Sequence, residues 1–186
     1  VTVNAAPNQS PVANAGIDRV ITLPVNSLTV TGSGTDPDGS IASYQWTKIA
    51  GPTTYTIGTA TQAQTVISNL VQGVYQFELR VTDNLGAIGR DTMTITVNAA
   101  ANQLPTANAG ANQTITLPAS SVTLTGSGND PDGTITNYQW TKISGPATYT
   151  IVSPNQAQTV INNLVQGTYV FRLTVTDNSG ATADAF

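Results

Sequence analysis

Apolar and polar residues alternate along several short stretches of the chain. In Gly73–Asp83, Tyr75, Phe77, Leu79 and Val81 fall on one face and Gln76, Glu78 and Arg80 on the other. A period of two is the pleat of a half-buried β-strand. Ser27–Ser33 and Thr92–Val97 alternate in the same way, and Tyr44, Trp46 and Lys48 share one face of a strand that follows Ile41. Tyr55–Ile57 and Thr65–Ile67 are short strands. Pro11–Gly16 opens the set, and Arg19–Leu23 continues the same strand past a break at Gly16 until Pro24 stops it. Between these runs stand turn formers: Asp36-Pro37-Asp38-Gly39, Gly51-Pro52 and Asp83-Asn84-Leu85-Gly86. Proline presets φ in such turns and glycine accepts a positive φ. No stretch carries a helical period. About seven short strands separated by turns predict an all-β sandwich.

The whole pattern then returns. Trp46 recurs as Trp140, Pro11 as Pro105, Gly51-Pro52 as Gly145-Pro146, Gly73 as Gly167 and Asp83-Asn84 as Asp177-Asn178, always 94 residues later. Roughly two-thirds of aligned positions are identical, and one period is about the size of a small domain. The chain therefore divides into two tandem sandwiches, 11–98 and 105–186, joined by the linker 99–104. Residues 5–10 form an equivalent linker, and Val1–Asn4 repeats Ile95–Asn98, the end of a preceding repeat's last strand. Phe186 aligns with Thr92, so the second sandwich is expected to lack the strand that matches Met93–Asn98 and to expose an apolar groove and an unpaired edge. Two readings stand open. The chain is a window on a longer array, or chains join head to tail and the first strand of one completes the sandwich of its neighbour.

Within each copy, Trp46 or Trp140 takes the place of the buried Trp on the third strand of an immunoglobulin-like sandwich. Tyr75 stands near the start of the sixth strand, the tyrosine-corner position, with Phe77 where a disulfide cysteine would sit. The chain has no Cys, so apolar packing must hold the sheets together.

Composition narrows the chemistry. Only 9% of the 186 residues are charged, the net charge is −4, and His and Cys are both missing. A Ser–His or Cys–His nucleophile is excluded and a zinc site is disfavoured. The acidic balance argues against nucleic acid, which needs a basic footprint. No apolar run approaches the ~18–20 residues of a membrane span. Lys48 and Lys142, the only lysines, raise the possibility of Lys–Asn cross-links, but Glu78, the only Glu, becomes Arg172 in the second copy. Tyr55 and Tyr149 are either packing residues or stacking platforms for sugars.

The acidic turn is the one candidate site. Asp36 and Asp38 sit two apart, a spacing that suits either a turn fixed by side chain-to-backbone bonds or a hard cation. Calcium takes oxygen ligands in flexible loops. The candidate ligands are Asp36 and Asp38, Ser33 just upstream and Asn8 from the linker; the counterparts are Asp130, Asp132, Ser127 and Asn102. Asp83-Asn84 and Asp177-Asn178 are assigned to turns.

The combination of Asn-Gln-x-Pro, Ala-Asn-Ala-Gly, Gly-Ser-Gly-x-Asp-Pro-Asp-Gly, Tyr-Gln-Trp, Gly-Pro and Val-Thr-Asp-Asn-x-Gly spans both copies nearly end to end. It resembles the PKD (polycystic kidney disease type) domains. The usual Trp-Asp-Phe-Gly-Asp-Gly is replaced by Trp46-Thr47-Lys48-Ile49-Ala50-Gly51-Pro52, a variant similar to the subtype of KIAA0319-like receptors and many bacterial surface proteins. The resemblance implies a non-catalytic, extracellular, secreted or cell-surface module of bacterial source, acting as a stalk, filament or adhesin segment. Its expected partners are neighbouring repeats or copies of the same chain, with a surface glycan or protein as a further partner. The alternative it implies is a carbohydrate- or protein-binding accessory to a secreted enzyme. In some bacterial PKD domains the linker Asn and the acidic loop hold calcium, which would stiffen the joint between repeats.

Overall fold

The computed structural model describes every residue from Val1 to Phe186. It is all-β and forms two compact units, Val1–Ala101 and Asn102–Phe186. Unit 1 holds β1 (Val12–Asn14), β2 (Arg19–Thr22), β3 (Leu28–Thr31), β4 (Ser33–Thr35), β5 (Ile41–Ala50), β6 (Thr56–Ile57), β7 (Gln64–Ser68), β8 (Gly73–Asp83) and β9 (Ile88–Asn98). One layer is the sheet β2-β9-β8-β5; the other is β3-β7-β6 together with the β1-β4 pair.

Two expected strands are each split, for different reasons. Pro11–Leu23 is not one strand that merely continues past Gly16. β1 pairs antiparallel with β4, whereas β2 runs parallel to β9 in the opposite sheet. Gly16, at φ +88°, turns the chain from one layer to the other, and its amide donates to Asn14 Oδ1 at 2.8 Å. The run from Ser27 is interrupted at Gly32, between β3 and β4. A Cβ there would collide with Leu79 and stand 2.9 Å from Trp46 Cζ2, so the missing side chain is the space the indole fills.

The core lies between the layers, as the alternation predicts. Trp46, Tyr75, Phe77, Leu79, Val81, Ile95 and Val97 are all buried. Trp46 Nε1 donates to the Ala63 carbonyl at 3.3 Å, so its one polar atom is satisfied. Tyr75 forms the tyrosine corner: its hydroxyl accepts from the Val71 amide at 3.0 Å and donates to the Thr54 carbonyl at 2.9 Å. The expected strand Tyr55–Ile57 is reduced to Thr56–Ile57. Tyr55 instead packs edge-on to Phe77, with ring centroids 6.1 Å apart.

Unit 2 repeats this plan with one layer cut short. Its strands are β10 (Thr106–Asn108), β11 (Val122–Thr125), β12 (Ser127–Asn129), β13 (Ile135–Ser144), β14 (Thr150–Ile151), β15 (Gln158–Asn162), β16 (Val170–Asp177) and β17 (Thr182–Ala185). β17 covers only the first part of its counterpart β9, and Gln113–Thr116, the counterpart of β2, is not a strand. The second follows from the first: β2 bonds only to β9, so without that partner its backbone groups have no ladder to join. A groove of about 990 Å³ opens there, lined by residues that include Leu124, Trp140, Leu164, Tyr169 and Phe171. Tyr169 and Phe171 are only half-buried, whereas their counterparts Tyr75 and Phe77 are fully buried.

Candidate linker-docking and cation site

β8 carries its buried row of Tyr75, Phe77, Leu79 and Val81 one step further, to Asp83. Period two therefore turns a carboxylate inward at the strand's end, and Asp83 is 2% exposed. Such a group needs donors. Its Oδ1 accepts from the amides of Leu85 at 2.8 Å and Ala87 at 2.9 Å, which closes the β8–β9 turn. Its Oδ2 accepts from Asn8 Nδ2 at 2.8 Å. The linker is thus pinned to the sandwich at Asn8. Gln9 follows, its amide donating to Asp38 Oδ2 at 3.1 Å.

Unit 2 builds the same arrangement. Asn102 Nδ2 donates to Asp177 Oδ2 at 2.8 Å, and Asp177 Oδ1 accepts from Ser179 and Ala181, both at 2.8 Å. The Gln103 amide reaches Asp132 Oδ2 at 3.1 Å. Residues 102–104, part of the linker 99–104 in the sequence reading, fall within the second compact unit, Asn102–Phe186.

Electrostatics differ within the cluster. Burial pushes the Asp83 carboxyl up, but Asn8 and the amides of Leu85, Ala87 and Gly86 together outweigh it and hold the group below its ordinary range. Asp177 is likewise held down, first by Asn102. Asp36 goes the other way: burial raises it, with the neighbouring charges of Asp38 and Asp83 adding to the rise and the Asp38 amide opposing it. Asp130 repeats this behaviour.

Asp36 Oδ2 is buried without a hydrogen-bond partner, and so is Asp130 Oδ2. Asn84 Oδ1 lies beside it. A Cβ on Gly39 would collide with Asn84 Oδ1 and stand 2.6 Å from Asp36 Oδ2, and Gly133 faces Asn178 and Asp130 in the same way. The loop therefore leaves a small cradle of oxygens, the donor type a hard cation takes. No three carboxylates are preassembled as a metal cage. An ion here would draw on Asp36, Asp38 and the side-chain oxygens of Asn84 and Asp83.

Asn8, Asp36 and Asp38, with their counterparts Asn102, Asp130 and Asp132, are brought together. Ser33 and Ser127 are not. Ser33 pairs with Asn14 at the start of β4, three residues and roughly 10 Å along an extended chain from Asp36. Sequence reasoning assigned Asp83-Asn84 and Asp177-Asn178 to turns, which they do make, but missed that they also face the acidic loop. The signal was present: Asp83 continues the inward parity of Val81.

Lys48 and Tyr55 form a separate packing unit. Lys48 Nζ donates to the Gly51 carbonyl at 2.9 Å and lies 5.1 Å from the Tyr55 ring centroid. Lys142 does the same with Gly145 at 3.2 Å and Tyr149 at 4.5 Å. These are the packing roles weighed for the tyrosines.

Comparison with known proteins matches the architecture. The family model described as K319L-like, PKD domain, matches residues 15–97 and 109–186. The mouse protein named dyslexia-associated protein KIAA0319 homolog is 38% identical over 184 residues, covering 97% of this chain and 17% of that protein. Human dyslexia-associated protein KIAA0319 is 36% identical over 186 residues, covering 97% of this chain and 17% of that protein. The chain thus spans about a sixth of the length of these relatives. Among solved structures, the solution structure of the PKD domain from KIAA 1837 protein is 29% identical, with a TM-score of 0.46, covering 54% of this chain and 97% of that one. The relatives named are mammalian, and they give the expected bacterial source no support. Two matched segments, each a β-sandwich with a buried Trp and a tyrosine corner, place the chain in the K319L-like PKD domain family, as two tandem copies.

Proposed function

We propose that this tandem module is extracellular, of the adhesion type and non-catalytic, and that it serves as a structural repeat in a stalk or filament at a cell surface. The observation that carries this reading is the paired anchor. Asn8 on Asp83 and Asn102 on Asp177 tie the segment entering each sandwich to the same end of its fold, with the same 2.8 Å bond. A connection fixed by side chains limits the freedom of a linker, which is what a spacer under load requires. Membership of the PKD family supports the extracellular assignment.

Calcium is part of the proposal. Asp36, Asp38, Asn84 and Asp83 would hold it in unit 1, and Asp130, Asp132, Asn178 and Asp177 in unit 2. The ion would supply positive charge to a loop whose carboxylates repel one another. The orphaned, buried Asp36 Oδ2 supports the fit. A sugar-binding accessory role has less support, because the Tyr55 and Tyr149 rings are engaged by Phe77, Phe171 and the two lysines.

Solution scattering on the whole chain, with and without calcium, tests the reading beside an Asn102→Ala variant. The expected result is a narrow distribution of maximum dimension, tightened by calcium and broadened in the variant. A distribution that the variant leaves unchanged overturns the anchoring role.

A further inference from the structure

We infer that the outer face of unit 1's four-stranded sheet carries an oxyanion-binding site built on Arg80 and Arg90, and that its ligand is an acidic polysaccharide bearing sulfate or carboxylate groups. The inference goes beyond the structural-repeat reading: it needs unit 1 alone and holds whether or not the repeats form a stalk.

The alternation of β8 builds the site. Leu79 and Val81 are buried, so Arg80 between them turns to the outer face. There it stands directly opposite Arg90 of β9. Like charges that face each other across a ladder repel. The adjacent acid, Glu78, is engaged by Arg90, whose Nη1 donates to Glu78 Oε1 at 2.5 Å. Arg80 takes part in neither of the chain's two salt bridges, and its Nε is buried without a hydrogen-bond partner. In a chain of net charge −4, this patch therefore holds two cations, one anion and a donor with no acceptor. A sulfate or carboxylate between the two guanidinium groups would supply the acceptor, take paired N–H bonds and cancel the repulsion.

The surroundings favour a polysaccharide. Gln45 lies opposite Arg80 on β5, and Thr47 and Thr92 stand on either side of Glu78. They offer hydroxyls and an amide, and no aromatic anchor of the kind that dominates protein interfaces. Recognition would be by charge and hydrogen bonds, without the Tyr55 ring, which packs on Phe77. The two copies also diverge on this face. The inward residues of β8 recur unchanged in β16, but the outward Val74, Gln76, Glu78 and Arg80 become Thr168, Val170, Arg172 and Thr174. Exposure alone does not account for this. Thr29, Thr31, Gln64 and Val66 on the outer face of the opposite sheet are equally exposed, and they recur as Thr123, Thr125, Gln158 and Val160. In unit 2 the charges satisfy one another: Asp184 accepts from Thr174 Oγ1 at 2.5 Å and faces Arg172 at 3.5 Å. The unanswered guanidinium pair belongs to unit 1.

Titration calorimetry of the 186-residue chain at low ionic strength tests this, with heparin as the sulfated polymer, polygalacturonate as the carboxylated one and dextran as the neutral one. The expected result is binding of at least one acidic polymer, weakened by added salt, and none of dextran. The tighter of the two acidic polymers identifies the group recognised. Arg80→Thr, which installs the residue that unit 2 carries at this position, should weaken binding about tenfold or more. Glu78→Gln frees Arg90 and should tighten it. Arg19→Gln, again the unit 2 residue, removes the same charge from a different part of the sheet and should leave the affinity unchanged. Failure of both acidic polymers to bind overturns the site. So does an equal loss from Arg19→Gln, which would reduce the effect to net charge. Inorganic sulfate that binds as tightly as either polymer overturns the polysaccharide as ligand. None of these outcomes touches the linker anchor, which is read from scattering of the Asn102→Ala variant.

Discussion

Asn8 Nδ2 donates to Asp83 Oδ2 at 2.8 Å across 75 residues of sequence, and Asn102 makes the same bond to Asp177 over the same separation. This contact joins the entrance of each repeat to its β8–β9 or β16–β17 turn. It holds a carboxylate in its charged form at the edge of an apolar core.

Replacing Asn8 by Ala should therefore show most clearly in acid. Asp83 is held below its ordinary value, so the stability it contributes is present above its unfolded pKa and is lost as pH falls through its lowered folded pKa. Without Asn8 the folded pKa moves up, and acid unfolding of unit 1 begins at higher pH. Circular dichroism melts over a pH series, comparing Asn8→Ala with wild type, check this; superimposable acid limbs would refute it.

Asp36→Asn should act with the opposite sign. The Asp36 carboxyl is raised, so the folded state binds its proton more tightly than the unfolded chain, and this contribution is lost as pH rises through the raised value. At neutral pH, in the presence of a chelator, the variant should melt slightly above wild type. It should also lose any rise in melting temperature on adding calcium. Isothermal titration of calcium, wild type against variant, separates the two effects.

The two tryptophans should differ in cost. Trp46 is 1% exposed within a complete core, and Trp46→Ala should destabilise unit 1 by about 3–5 kcal/mol. Trp140 borders an open groove, where collapse and water entry relieve part of the cavity, so Trp140→Ala should cost less. Calorimetry that resolves the two units would show the difference.

Tyr75→Phe keeps the ring and removes the hydroxyl that accepts from Val71 and donates to Thr54. The Val71 amide is only partly buried, so leaving it unpaired should cost about 1 kcal/mol, the low end of the range for a buried group. The same change at Tyr169, whose partners are Val165 and Thr148, should cost less because that corner is half-open to water. Equal losses in the two units would count against the comparison.

Adding Met-Thr-Ile-Thr-Val-Asn after Phe186 should raise the melting temperature of unit 2 and leave unit 1 unchanged. Met93, Ile95 and Val97 are at most 2% exposed in unit 1, and burying each such side chain contributes roughly 1.5–3 kcal/mol before ordering costs. Calorimetry of the extended chain checks this.

The sandwich was legible because its determinants are local and periodic. Alternation in Gly73–Asp83 and Thr92–Val97, turn residues between them and a recurring Trp specify which side chains face inward, and the 94-residue period marks two domains. Other features depended on which strand meets which. Period two cannot say that Gly16 sends β2 into the opposite sheet to run parallel to β9, because that pairing joins residues more than 70 positions apart. Nor can it bring Asn8 to Asp83, move Ser33 away from the acidic loop, or leave Asp36 Oδ2 buried without a partner. The sequence by itself determined the strands, their inward faces and the repeat, since each follows from chemistry within a few neighbouring residues. Only the tertiary structure decided how the linker is anchored and how the carboxylates divide into one held charged and one pushed toward its proton. Those properties come from distance and burial between segments that the chain order keeps apart.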